Sequence, residues 1–534
     1  MVQISKRDLL GFSLGILIMV NICFGFVPLI NLFEVYFNVM ALILFWAPFG
    51  VSCLVFGFII DKIKNENKKF LCFSFMIWGA LVISLIYSLS NLFLTLSIII
   101  LIGIFTAPTV LTAIGYMNSN LDVNKRALNV GIYLAISWAI VSVTAYVSFI
   151  NWFLNIIILA ILNISIGIIS FSLIQISGVE LKWEQETHIP RDYDIKKNSA
   201  IYWGSSVVFG AFLGIIVFLL GTTGRITQSM SSFYLENVRF YVEVVRLFNL
   251  GLTNFDFLVI GALNIFLSII YGKLIDKYGR KRMFLIVNFM IPAVMICFGF
   301  WGNIVFLGLS VFFYASITAG YCVIIGSVYC DMAPEGKLGQ YNGLGWSALG
   351  IGGSLGFIIA FIMTDPLLIS MIDMIIIIVI ISLSEVSLIP YISMKESLPP
   401  AEEMEWAKDL IHLYVIKDNG VLMSDYSFVE KELVDHDLFS GGISGITTIL
   451  QEMVDSQQKL KVIDHEDKKL LFEYGEQFSI ILVAKKDLKI LRTKLKKLTE
   501  QIQTVFWETI ASWDGDLELF KPIKTLIRNY FVEK

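Results

Sequence analysis

The residues that best combine chemical type with fixed spacing run from Gly272 to Arg282. They read Gly272-Lys-Leu-Ile-Asp276-Lys277-Tyr-Gly279-Arg280-Lys281-Arg282, with apolar runs on both sides. A shorter copy lies earlier as Gly57-Phe-Ile-Ile-Asp61-Lys62, followed by Lys64, Lys68 and Lys69. Both contain Gly-x-x-x-Asp-Lys, but the first copy lacks the later glycine and the arginines. A glycine lets two helices approach closely in lipid. A carboxylate one turn further on, at a helix end, can interact with the N-terminus of a neighbouring helix. The basic cluster that follows belongs on the anionic, positive-inside face of a membrane. One such stretch would read as an ordinary basic loop; two at matching places point to a repeated device. Catalytic chemistry has no comparable support. The six cysteines lie in or beside apolar runs, no CxxC occurs, and His188, His412, His436 and His465 are scattered. No nucleophile–base pair, metal spacing or phosphate loop is present, so neither an enzyme nor a cofactor is expected.

The elements that must position these residues are membrane spans. The chain is 57% hydrophobic, with a mean hydropathy of +0.77, more than a soluble protein of this size carries. Apolar runs fall at about 9–30, 38–60, 70–89, 92–116, 127–150 and 153–175. After a polar segment, a second set falls at about 201–222, 252–275, 283–301, 304–330, 341–363 and 367–392. Each is near the roughly 20 residues that a helix needs to cross a bilayer. Six plus six implies a parallel repeat about an axis along the membrane normal. With the N-terminus inside, 18 of the 21 Lys and Arg before residue 395 fall in inside segments. The others, Arg225, Arg239 and Arg246, share one outside segment, in which 228–248 has the pattern of an amphipathic helix lying on the outer interface. The expected organisation is an N-terminal six-helix half (1–178), an inter-half linker (179–199) and a C-terminal six-helix half (200–394). A second linker (395–407) and a soluble domain (408–534) follow. Residues 395–534 are acidic, with 25 Asp and Glu against 19 Lys and Arg, and no nucleic-acid partner is expected.

The two signatures, each between the second and third spans of its half, resemble the loop motif of the major facilitator superfamily of secondary transporters. Asp331-x-x-Pro334-Glu335-Gly336-Lys337-x-Gly339 likewise resembles the family's loop between spans ten and eleven, and Asp122 to Arg126 is a poorer first-half counterpart. The resemblance covers about residues 1–394. It implies a membrane all-α fold of 12 transmembrane helices in two six-helix halves, working by alternating access, with the signatures as conformational-switch loops. It places the protein in the cell membrane as a multi-pass chain with both termini cytoplasmic, and it implies a small-molecule solute as partner beside the lipid bilayer.

The resemblance also puts the solute between the halves near mid-membrane, lined by spans one, four, seven and ten. The polar residues there are Asn21, Thr106, Thr109 and Thr112, with Tyr314, Thr318 and Tyr321 on one face of span ten. Asn264 and Trp346 are additions from spans eight and eleven. For each residue singly, hydrogen bonding between helices is the competing role. Glu34, Asp373 and Glu385 are the candidates for ion coupling, with a structural role at the outer interface as the alternative for Asp373. Span four lacks the arginine, and span five the Gly-Pro motif, that many proton-coupled or antiporting relatives carry. A cavity without charge favours a neutral or amphipathic solute.

Beyond Pro399 and Pro400 the pattern changes. Strands are expected at 410–416 and 421–426 around an Asp418-Asn419-Gly420 turn, then a helix from 437 to about 454. Further strands at about 459–465, 468–474 and 477–484 precede helices at 486–511 and 517–531. This ββαβββαα order resembles longin or roadblock-type domains, which are profilin-like α/β platforms. The resemblance implies a cytosolic protein partner, either a small GTPase or another such domain. The competing reading of the whole chain is a membrane receptor or scaffold that has lost transport and recruits a partner through this tail.

Overall fold

The computed structural model describes residues 13–24, 35–118, 125–177, 194–226, 252–299, 304–363 and 389–390. With short breaks it also describes 394–429, 439–449 and 460–532. The chain separates into two units, Met1–Pro400 and Ala401–Lys534.

The first unit is helical. Its helices are α1 (Leu17–Cys23), α2 (Val35–Lys62), α3 (Phe73–Ser88), α4 (Leu92–Asn118), α5 (Arg126–Ile150) and α6 (Trp152–Ser177). They continue with α7 (Ile195–Ile226), α8 (Leu252–Tyr278), α9 (Arg280–Gly299), α10 (Ile304–Met332) and α11 (Leu338–Met363). These sequences form helices because a span must satisfy every backbone N–H and C=O internally. Seven of the helices among the described residues are long and apolar enough to cross a membrane. Gly-rich α11 stands at the expected place but is less apolar. The twelfth expected span, 367–392, and the outer segment 228–248 lie outside the described residues, but for the helical pair 389–390. The polarity of the bundle is that of a membrane protein. Phe93, Phe266 and Phe289 are exposed, while Asn21, Asn155, Asn163, Asn264 and Asn288 are buried.

The packing repeats itself. α2 lies along α11 and α8 lies along α5. Moving six helices along the chain turns α2 into α8 and α5 into α11, so these two seams are one contact made twice. The same shift relates α1–α5 to α7–α11, and α2–α4 to α8–α10. Both seams are close because glycines meet backbone. A Cβ on Gly57 would stand 2.6 Å from the Gly339 carbonyl oxygen, and one on Gly272 would stand 2.5 Å from that of Ala127. The Gly210/Gly214 pair of α7 packs in the same way on the Gly352–Phe357 stretch of α11.

The second unit holds a five-stranded antiparallel sheet, β1 (Leu410–Lys417), β2 (Leu422–Ser427), β3 (Val462–His465), β4 (Lys468–Tyr474) and β5 (Phe478–Ala484). The strand order is β2-β1-β5-β4-β3. The expected turn between β1 and β2 is present. Gly420 has φ +85°, and its N–H donates to the Lys417 carbonyl at 2.8 Å. Alternating side chains feed two cores. Leu413, Val415, Ile480 and Leu482 pack with the apolar faces of α12 (Lys489–Ala511) and α13 (Lys521–Phe531). Tyr414, Ile416, Ile481 and Val483 pack on the opposite face with Ile443, and Phe439 stacks on Tyr414 at 4.3 Å.

Candidate functional site

The signature residues meet at one end of the bundle, called here the motif end. Asp276, in the last turn of α8, accepts hydrogen bonds from the Leu128 N–H at 2.8 Å and the Ala127 N–H at 3.3 Å. Those donors belong to the first turn of α5, so a carboxylate of α8 caps the start of α5. The first turn of a helix leaves its N–H groups without partners inside the helix and carries partial positive charge, so a carboxylate is favoured there. Asp61, in the last turn of α2, does the reciprocal thing. It accepts from the Gly339 N–H at 2.7 Å and the Gln340 N–H at 2.8 Å, in the first turn of α11.

A buried charge network surrounds Asp276. Arg280 pairs with Asp276 at 3.1 Å and, through Nε, with Asp331 at 2.9 Å. Arg126, at the start of α5, pairs with the other oxygen of Asp331. Asp331, near the end of α10, is thus shared between the arginines that begin α5 and α9, and both guanidinium groups are buried. Gly279, at φ +96°, makes the turn that lets α9 start directly after α8. The start of α9 is held in turn by Glu396. Its carboxylate accepts from the Lys281 N–H at 2.8 Å and from the Arg280 N–H. The Lys281 ammonium donates to the Met394 carbonyl. Burial pushes the Glu396 carboxyl above its ordinary value, against those hydrogen bonds and the nearby Arg280 and Lys281 charges. The remaining signature residues, Lys62, Lys277 and Arg282, are exposed. Lys62 lies over Phe58 at 4.0 Å, and Lys277 over Tyr278 at 5.2 Å. Near the same end, Asn118 of α4 donates to the Gly326 carbonyl at 2.9 Å and to the Cys330 sulfur at 2.8 Å, both in α10.

The residues expected to line a solute site are all buried, and four of the nine, Asn21, Thr106, Thr109 and Tyr321, bond to neighbouring helices. Asn21 donates to Asn163 at 3.0 Å and to Thr109 at 3.3 Å. Trp78 donates to Thr106 at 2.9 Å. The Tyr321 hydroxyl donates to Asn288 at 2.7 Å, and its ring stacks on Phe209 at 3.6 Å. Thr318 bonds back to the Tyr314 carbonyl of its own helix. Four polar groups are different. Among the described residues, both amide atoms of Asn264, the Thr112 hydroxyl and the Trp346 indole N–H have no hydrogen-bond partner. The Ser268 hydroxyl and the Trp138 indole N–H join them. Asn264 and Ser268 are on α8 and Trp138 on α5, the two helices of one seam. Glu34, Asp373 and Glu385 lie outside the described residues. No cluster of three metal-ligating side chains occurs among the described residues.

Sequence reasoning missed the roles of three members of the motif end. Asp331 and Arg126 were visible as loop residues, but their pairing across the halves was not. Glu396 falls in a stretch that reads only as linker, and no sequence signal marks it.

No protein-family model matches the chain, and no curated protein does. Solved structures do. The human organic anion transporter MFSD10 (TETRAN) matches at 12% identity and a TM-score of 0.50, over 73% of this chain and 99% of that one. Over the matched part, the chain shares its fold with that transporter. A bacterial homologue of the iron transporter ferroportin, in an outward-facing state with soaked iron, matches at 12% identity and a TM-score of 0.49. That match covers 73% of this chain and 97% of the other.

Proposed function

We propose that this protein is an alternating-access transporter of the major facilitator type, with twelve spans in two halves and both termini in the cytoplasm. The observation that carries this reading is the reciprocal capping at the motif end, where Asp61 and Asp276 each hold the first turn of a helix in the opposite half. Contacts of this kind hold one side of the seam shut and can be released without unfolding either half. Rocking of the halves then breaks and remakes them. The solute is small and neutral or amphipathic. Support for this is the uncharged set of unpaired polar groups, Asn264, Ser268 and Trp138, buried on α5 and α8. An unpaired buried amide is unfavourable by about 1–3 kcal/mol, which a solute that hydrogen-bonds there would relieve. The cytoplasmic domain is longin-like and serves regulation or docking, with a small GTPase or a second domain of its kind as partner. Its strand order and its helices on both sheet faces support that reading.

The test is Asp276→Asn in proteoliposomes. The variant is expected to fold and insert but to move solute more slowly, and wild-type flux would overturn the reading. The scaffold alternative draws on the helix-to-helix bonds of Asn21, Thr106 and Tyr321, which fill positions expected to line a cavity. A thermal-shift screen of small solutes on the purified protein separates the two, since a ligand that binds the native state raises its apparent stability. A solute-dependent shift abolished by Asn264→Leu favours transport.

A further inference from the structure

Asp61 and Asp276 belong to a pattern with a third member. Each is an acid near the C-terminal end of one segment, and its carboxylate holds the first-turn N–H groups of a helix elsewhere in the bundle. Glu396 does this to α9, through the N–H groups of Arg280 and Lys281. Unlike the two aspartates, it lies after the last expected span, in the stretch that leads to the C-terminal domain. Its surroundings fix it there. Met394 and Leu398 are buried on either side, the Lys281 ammonium binds the Met394 carbonyl, and a Cβ on Gly279 would stand 3.2 Å from the Glu396 carboxylate. The residue whose N–H it caps, Arg280, carries the guanidinium that joins Asp276 to Asp331.

We infer that Glu396 is a positioning residue of the motif-end closure, acting through Arg280, and that the head of the C-terminal linker is therefore a working part of that closure. Glu396 bonds to the N–H groups of Arg280 and Lys281 at the start of α9. It sets where α9 begins, and so where the Arg280 guanidinium can reach. Withdrawal of the linker's first residues frees the start of α9, and the Arg280 bridge loses its geometry. A displacement of the C-terminal domain has a covalent route to the seam by this path. The inference rests on the alternating-access reading for its meaning, but its test reads conformation rather than flux, so the two can fail separately.

The native cysteines supply the readout. Cys330 is buried at the motif end, with its sulfur between Asn118 of the first half and Asn342 of α11. Cys72 is buried within the first half, where opening between halves leaves it covered. Full-length protein in membranes is treated with a maleimide, and labelling at each cysteine is followed by peptide mass spectrometry. Glu396→Ala is expected to raise the Cys330 rate about tenfold, the population shift that follows loss of a charge-assisted hydrogen bond, with Cys72 unchanged. Glu396→Gln, which keeps one acceptor oxygen, is expected to fall between wild type and Glu396→Ala. Arg280→Lys, which keeps the charge but not the planar fork, should reproduce the Glu396→Ala rate, and adding Glu396→Ala to it should add little. A wild-type Cys330 rate in Glu396→Ala overturns the inference. So does a matching rise at Cys72, which reports general loosening.

Discussion

The two seams of the bundle close with the same device but in different company. At the α2–α11 seam, Asp61 accepts two backbone N–H bonds, and the charges of Lys68 and Lys337 act on it. At the α8–α5 seam, Asp276 accepts two such bonds and also belongs to a buried chain of ion pairs, Asp276–Arg280–Asp331–Arg126. The first arrangement breaks cleanly, because its N–H donors and carboxylate can all be rehydrated. The second leaves arginines to be resolvated when it opens, and burial of such charges is tolerable only while they stay paired. The repeated seam thus carries one light cap and one heavy one, and the heavy one lies beside Met394 and Glu396.

This asymmetry can be broken in a graded way. The largest effect is expected from Asp331→Ala, which leaves Arg126 and Arg280 buried without their shared partner. Removal of one member of a buried pair is destabilising by about 3–5 kcal/mol, and thermal unfolding of the purified protein should show a fall in Tm larger than for any other variant at the motif end. Next comes Asp276→Asn, which weakens a charge-assisted capping bond and the Arg280 pair, each worth about 1.5–3 kcal/mol. Its flux should fall further below wild type than that of Asp61→Asn, and equal effects would remove the distinction between the closures. Gly272→Ala follows. Its new Cβ would stand 2.5 Å from the Ala127 carbonyl oxygen, so the seam must part, at about 1–3 kcal/mol for such overpacking. Cys330 labelling should quicken in this variant. The smallest effect concerns pH. The folded Glu396 carboxyl titrates above its unfolded value of about 4.3, so its contribution to stability is complete below that value and is lost as pH rises through the folded one. The wild-type Tm should therefore decline more over that window than the Tm of Glu396→Gln, and parallel profiles would contradict the assignment.

Much of the scaffold could be read from the chain. An apolar run of about 20 residues has few alternatives to a membrane helix, and helices stand at eleven of the twelve expected places among the described residues. The strands of the second unit were legible from alternation, and the β1–β2 turn from Asp418-Asn419-Gly420. Asp61 and Asp276 were legible as paired helix-end acids through their spacing. Their partners were not, because a backbone N–H at Gly339 or Leu128 has no side-chain signature and lies more than a hundred residues away. Polarity alone was a poor guide to a solute site. Asn21 and Tyr321 are polar and buried because they join helices, whereas Asn264 is polar, buried and unpaired, and nothing in the sequence separates the two kinds. Glu396 was hidden because a contact made by a linker leaves no periodic trace.

The glycines along both seams have a mechanical consequence. Where Gly57 meets the Gly339 carbonyl, or Gly131 meets that of Ser268, main chain rests on main chain with no side chain interlocked between. Such a surface behaves as a plain bearing: it resists separation but offers little grip against tilt. On the alternating-access reading proposed above, the torque needed to rock one half over the other is then concentrated in the few carboxylates at the rim, and the rate of the motion can be tuned there without rebuilding the shaft.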